Sequence, residues 1–241
     1  MSFSYFAMLG TVLIGVFLAL RIRHNRRWAL VVGCLSWFLT IFYFLIEFFV
    51  IKESMVPYSF LDQPMSDLGV TVCGTNTYLL APYEICSPAH LLMNWTFTIT
   101  GLTTVIGAIC LQQFWPATRM ARVATWLLII FGLSMSVAGI IPADVSFVWH
   151  TLASLPGMFV QIPALFLLGK AIRGIRPKLA TWSYICGALT SAVLLSLFLQ
   201  AFISLPGGLL QRLLYASVYV WSMGTAVVIW RNRGHLLSKE I

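Results

Sequence analysis

The chain is short of charge. Only 9% of its 241 residues are Asp, Glu, Lys or Arg, against roughly 25% in soluble domains. With 60% of the residues hydrophobic, a water-soluble globular fold is excluded. Acids are scarcest, seven against fifteen Lys and Arg. No lysine lies deep in an apolar run, since Lys170 sits at the edge of one; a retinal-type photoreceptor, which needs such a lysine for its Schiff base, is thereby excluded. No internal duplication is visible, so the signature of an inverted-repeat transporter is missing. Of the five cysteines only Cys73 and Cys86 fall outside apolar runs.

What is present is a series of seven apolar runs, at about 5–20, 28–51, 91–113, 123–141, 148–169, 180–204 and 209–230. Each approaches the roughly 20 residues that a helix needs to cross a bilayer. The expected fold is all-α: one polytopic membrane domain of seven transmembrane helices over 1–241. The net charge of +8 does not point to nucleic acid, because the bases sit between the runs. Arg21, Arg23, Arg26 and Arg27, then Arg119 and Arg122, then Lys170, Arg173, Arg176 and Lys178, and finally Arg231, Arg233 and Lys239 occupy alternate connections. Only Lys52 and Arg212 depart from this. By the positive-inside rule the N-terminus is outside and the C-terminus cytoplasmic, as expected of a protein in a bacterial plasma membrane. Residues 1–27 read as an added anchor span with its basic loop. The Arg cluster follows that span instead of preceding it, which favours a retained anchor over a cleaved signal peptide.

The one long polar passage runs from Pro57 to Asn94, within an outer segment, 52–90, expected to be structured. Pro57, Pro64, Gly69, Gly74 and Pro82 punctuate it, so short turns or a re-entrant piece are expected in place of a long helix. In an oxidising compartment Cys73 and Cys86 read as a disulfide. A zinc site is the rival, weakened by the lack of CxxC spacing. Ser87-Pro88 has the form of a helix start, with Ser as N-cap and Pro at the first helical position. His90 and Asn94 then share a face, and His150, Ser154 and Gln161 share another on the fifth span. Arg212 and Tyr215 do so on the seventh. Glu47 lies one turn before the exit of span two, where a carboxylate is expensive in lipid. Arg212 either snorkels to the interface and lipid headgroups or pairs with Asp144, Asp67 or a substrate phosphate.

At SDLG (66–69), CSPAHLLMNWTF (86–97), PADVSFVWH (142–150) and QRLLYASVYVW (211–221) the chain resembles the bacterial integral-membrane family known as domain of unknown function 998. That resemblance covers about residues 30–230 and implies a membrane fold with no assigned activity. A looser pattern similarity, to membrane proteins related to GPI-anchor lipid remodelling and to DRAM proteins, implies a lipid substrate.

The polar groups converge on the outer side, and three readings of them remain open. Asp67, His90, Asp144 and His150 suffice to ligate a divalent metal such as zinc, which would activate water for hydrolysis. The same groups work without metal if a histidine is the base, an aspartate orients it and Ser66 or Ser87 is the nucleophile. In the third reading the acids cap helix ends and the histidines bond to backbone carbonyls. Glu47, Asn94, Ser154, Gln161, Arg212 and Tyr215 would line the substrate path. The expected function is an enzyme acting on a membrane lipid or prenyl-type substrate by hydrolysis or transfer, with non-catalytic binding or transport of a lipid or small molecule as the alternative. Oligomeric state is left open, because glycine-bearing spans pack equally well within a chain or between chains.

Overall fold

In a computed structural model, which describes residues 3–200 and 202–238, the apolar runs become helices. They are α1 (Phe3–Ile22), α2 (Arg26–Leu39), α3 (Phe42–Lys52), α4 (His90–Leu111), α5 (Arg119–Ile140), α6 (Phe147–Ile172), α7 (Pro177–Leu199), α8 (Gly207–Arg231) and the short α9 (Arg233–Ser238). With α2 and α3 counted as one span, seven helices among the described residues are long and apolar enough to cross a membrane. The chain is an integral membrane protein. Lys239 lies outside the described residues.

The second span is not continuous, contrary to the expectation from its apolar run. It breaks at Thr40 and Ile41, where the Thr40 hydroxyl donates to the Trp37 carbonyl at 2.7 Å and meets Ser222 Oγ of α8 at 2.9 Å. A threonine that bonds its own preceding turn competes with the helix ladder. In a bilayer such a break is tolerated only where it is buried in protein, and Thr40 is wholly buried against α8, where its hydroxyl meets Ser222.

Six spans form a closed ring: α2 packs on α4, then α5, α6, α7 and α8 follow in order, and α8 returns to α2. The interior is filled by aromatic rings. Trp37 and Trp221 have centroids 5.1 Å apart, Tyr43 and Tyr219 5.6 Å, and Phe131 and Tyr215 6.0 Å. All six are buried, so no open path follows the ring axis. α1 stands outside the ring, laid on α4 through Tyr5, Met8, Val12 and Ala19, with its other faces open. The densest seam is α4 on α5 and α5 on α6. At the first of these Gly101 and Gly132 bring the backbones together, as small residues do in membranes.

The connection between α3 and α4 is folded, with one turn of 3-10 helix at Met65–Gly69 and an antiparallel two-residue pairing of β1 (Gly74–Thr75) with β2 (Glu84–Ile85). Gly74 at φ 150° and Asn76 at φ 54° take positive values in this hairpin, glycine and asparagine being among the residues that accept them. Cys73 and Cys86 are joined as a disulfide across its base; the zinc alternative for this pair is set aside. Ser87 does not cap α4. The helix starts at His90 with Ala89 in the cap position, and the Ser87 hydroxyl instead donates to the Leu68 carbonyl at 2.8 Å.

Candidate functional site

The turn Met65–Gly69, which carries SDLG, is held through four of its five residues. The Met65 amide donates to Oε1 of Gln211 on α8 at 2.8 Å. Asp67 accepts from the hydroxyls of Tyr78 and, at 2.8 Å, Tyr83. The Leu68 carbonyl takes the Ser87 hydroxyl, and the Gly69 carbonyl takes Asn94 Nδ2 of α4 at 2.8 Å. A side chain at Gly69 would collide with Asn94 Oδ1, so glycine is what lets α4 approach the turn. Just beyond, the Thr71 amide donates to Asp144 Oδ2 at 2.9 Å, and the Thr71 hydroxyl donates to the same oxygen. Tyr78 stacks on Phe147 at the start of α6, centroids 5.7 Å apart.

Burial pushes the Asp67 carboxyl above the usual aspartate range, and the two tyrosyl donors with the nearby Arg212 charge only partly oppose this. Burial and the adjacent carboxylate push the phenols of Tyr78 and Tyr83 up in turn. Both therefore stay protonated and remain donors.

A second anchor lies beside the first. Arg212 is buried on α8, and its Nη2 stands 3.0 Å from Oε1 of the equally buried Glu47 on α3. The contact is a buried charge pair. Arg212 Nη1 donates to the carbonyls of Phe60 and Gln63 at 3.0 Å and of Gly208 at 2.9 Å, and Nη2 donates to the Tyr58 hydroxyl. The partner of Arg212 is thus Glu47, neither of the aspartates expected. Nη1 and Nη2 are both engaged, Nε is buried with no hydrogen-bond partner among the described residues, and the side chain offers no exposed edge to a substrate phosphate.

Between these anchors is a small cavity of about 40 Å³. Its polar wall is Ser66, His150, Ser154, Gln211 and Tyr215, and its apolar wall includes Met65, Phe97, Met135 and Met158. The volume holds about three water molecules. His150 Nδ1 lies 2.7 Å from the Ile141 carbonyl. A carbonyl only accepts, so in the neutral ring Nδ1 carries the proton and Nε2 is the basic nitrogen. The orienting group is a backbone carbonyl instead of the aspartate expected.

Of the candidate residues, the fold therefore brings Ser66, His150, Ser154 and Tyr215 to one cavity and pairs Glu47 with Arg212. It does not assemble the metal quartet. Among the described residues no three His, Cys, Asp or Glu side chains come together to hold an ion. Asp67 is committed to two tyrosines and Asp144 to Thr71, while His90 Nδ1 meets the Ser87 carbonyl at 3.0 Å. Asn94 is buried and spent on Gly69 and on the Tyr5 hydroxyl, a clamp rather than a substrate contact. Gln161 lies deeper in α6, with Nε2 on the Met158 carbonyl and Oε1 buried without a partner among the described residues. Residue-by-residue reading passed over Tyr58, Tyr78, Tyr83 and Gln211. Three tyrosines in one polar loop of an otherwise apolar chain were the available signal, since a buried phenol needs an acceptor.

The disulfide closes the hairpin that carries both tyrosines. Cys73→Ser with Cys86→Ser is expected to lower stability by about 3 kcal/mol, read as a lower unfolding midpoint in detergent. A midpoint unchanged by the double substitution or by reductant would show that the tyrosine and Asn94 contacts hold the loop alone.

A family model described as "Protein of unknown function (DUF998)" matches residues 38–228, about four fifths of the chain, from within α2 to within α8. α1 falls outside the match, as its position outside the ring would suggest. No curated protein and no solved structure matches the chain, and the looser likeness to GPI-remodelling and DRAM proteins gains no support. The chain belongs to the DUF998 family.

Proposed function

We propose that this protein is a membrane-embedded enzyme that cleaves or transfers the ester of a lipid, with Ser66 as nucleophile and His150 as base. The observation that carries the reading is the shared cavity: a loop serine and a helix histidine, far apart in sequence, line the same space, and the histidine tautomer is fixed with Nε2 basic. In this mechanism the Ser66 proton passes to Nε2 as Oγ bonds to the ester carbonyl carbon. The leaving alkoxide then takes that proton from His150, and water or a second alcohol releases the acyl group by the reverse sequence. Gln211, whose Oε1 is occupied by the Met65 amide, has its Nε2 left to donate to the developing oxyanion, as does the Tyr215 hydroxyl. The methionine and phenylalanine wall at the depth of the spans suits an acyl chain.

The site is assigned to the extracytoplasmic face of a bacterial plasma membrane, with the N-terminus outside and the C-terminus inside. The bases gathered at the opposite end support this, as does a disulfide, which persists in oxidising compartments. A second reading, ligand holding without turnover, draws on the cavity's small volume, since a substrate enters only if the walls part.

A fluorophosphonate probe separates the two readings. On intact protein in membranes, labelling is expected at Ser66, absent in Ser66→Ala and slowed at least about a hundredfold in His150→Ala. Labelling that proceeds equally well in His150→Ala would remove the base from the mechanism. No label at Ser66 of a protein that retains bound lipid would replace catalysis by holding.

A further inference from the structure

At the end of the ring opposite the disulfide loop, two connections form a recess of about 460 Å³. Arg23 and His24 reach it from the turn between α1 and α2, and Arg122 reaches it from the first turn of α5. Ile109, Trp115 and Ala121 give it an apolar floor. The two walls are tied together, because Gln113 Nε2 donates both to the Arg23 carbonyl at 3.2 Å and to the Cys110 carbonyl at 3.1 Å. Arg176 backs the floor, its guanidinium 5.9 Å from the Trp115 ring. Its Nη1 is buried with no hydrogen-bond partner among the described residues. Among the described residues no acid offsets these charges, since all six described acids lie toward the loop end, from Glu47 to Asp144; Glu240 lies outside the described residues.

We propose that this recess binds the headgroup of an anionic phospholipid. The volume lies within the roughly 300–1,000 Å³ of small-molecule sites. The pairing of a cationic rim with a tryptophan floor at the ends of membrane spans is complementary to a phosphate attached to acyl chains. A free phosphate would find the cations but make no use of the apolar lining, and a neutral headgroup would leave both lining arginines without a counter-charge among the described residues. The site stands apart from the Ser66 cavity and does not depend on the function proposed for it.

The test is native mass spectrometry of the delipidated full chain with equimolar phosphatidylglycerol and phosphatidylcholine, alongside glycerol phosphate. Phosphatidylglycerol is expected to bind preferentially, with one site tighter than the rest. Arg23→Gln with Arg122→Gln should weaken that site roughly 30-fold. Arg27→Gln with Lys178→Gln, which removes two exposed cations at the same end but outside the recess, should leave it within about twofold. Ala117→Asp, which adds an anion at the rim, is a second probe that keeps both arginines and should also abolish tight binding. Equal losses from the two charge-neutralised pairs would show a diffuse surface effect and overturn the site. Equal binding of phosphatidylcholine would overturn it too, and so would glycerol phosphate binding as well as the lipid.

Discussion

Replacing Arg212 with methionine is expected to cost about 3–5 kcal/mol, the penalty of leaving one member of a buried pair uncompensated. Glu47 and Arg212 are each almost wholly inaccessible, at 3% and 2% side-chain exposure for the Arg and Glu respectively, so water does not replace the lost partner. Glu47→Gln should cost less, because Arg212 keeps the Phe60, Gln63 and Gly208 carbonyls and the Tyr58 hydroxyl. Glu47→Met combined with Arg212→Met should recover most of the loss, since both buried charges are gone. The Gln63 carbonyl still has the Tyr58 hydroxyl in that variant, which leaves the Phe60 carbonyl as the main orphan. Unfolding midpoints of the three variants in detergent give the cycle directly. An Arg212→Met protein within about 1 kcal/mol of wild type would mean that the pair is solvated in practice.

This pair matters to the cavity through its neighbour in sequence. Arg212 fixes the rotation of α8 against the 58–63 segment, and that rotation places Gln211 under the Met65 amide and Tyr215 in the cavity wall. A substitution at Arg212 mild enough to fold is therefore expected to disturb Ser66 as well.

Membrane spans and the disulfide were legible because each follows from one-dimensional rules: run length, and cysteines outside apolar runs. The seven spans agree with the structure except at Thr40, where hydropathy stays high while a hydroxyl breaks the helix. Some residues of the candidate cavity stood out for a similar reason, since a histidine in an apolar chain is conspicuous. What composition does not carry is which polar group meets which. Asp67, His90, Asp144 and His150 looked like one ligand set because all lie at one end. Each has partners of its own instead, Tyr78 and Tyr83, Ser87, Thr71 and Ile141 respectively, of which only Thr71 is distant in sequence from the residue it meets. Pairing depends on how the 57–94 loop folds back on itself, and that is settled by Gly69 against Asn94 and by the hairpin, contacts no periodicity announces. Glu47 and Arg212 are a long-range case, joined only because the ring closes α8 on the side of α2 and α3.

The second large effect is expected at the α4–α5 seam. A methyl group at Gly101 would run into the Gly132 carbonyl and come within 2.5 Å of the Ser136 amide, while one at Gly132 would come within 2.5 Å of the Gly101 carbonyl. The obstacles are backbone atoms, which no rotamer change moves, so the helices have to separate. Gly101→Ala and Gly132→Ala are each expected to cost about 3 kcal/mol, the upper end for overpacking in a close-packed interior. Gly10→Ala on α1, where nothing lies within 4 Å, should be silent and serves as the control. The consequence extends beyond stability because the same two helices supply Phe97 from α4 and Met135 and Ala138 from α5 to the cavity. Prising them apart widens the space around Ser66 and His150 and parts the paired hydroxyl bridges, Ser136 Oγ to the Thr98 carbonyl at 2.9 Å and Thr98 Oγ1 to the Ser136 carbonyl at 3.4 Å. A folded Gly101→Ala protein should therefore show altered fluorophosphonate labelling at Ser66 together with a lowered midpoint. A lowered midpoint with unchanged labelling would place the cavity's shape under the control of α6 and α8 instead.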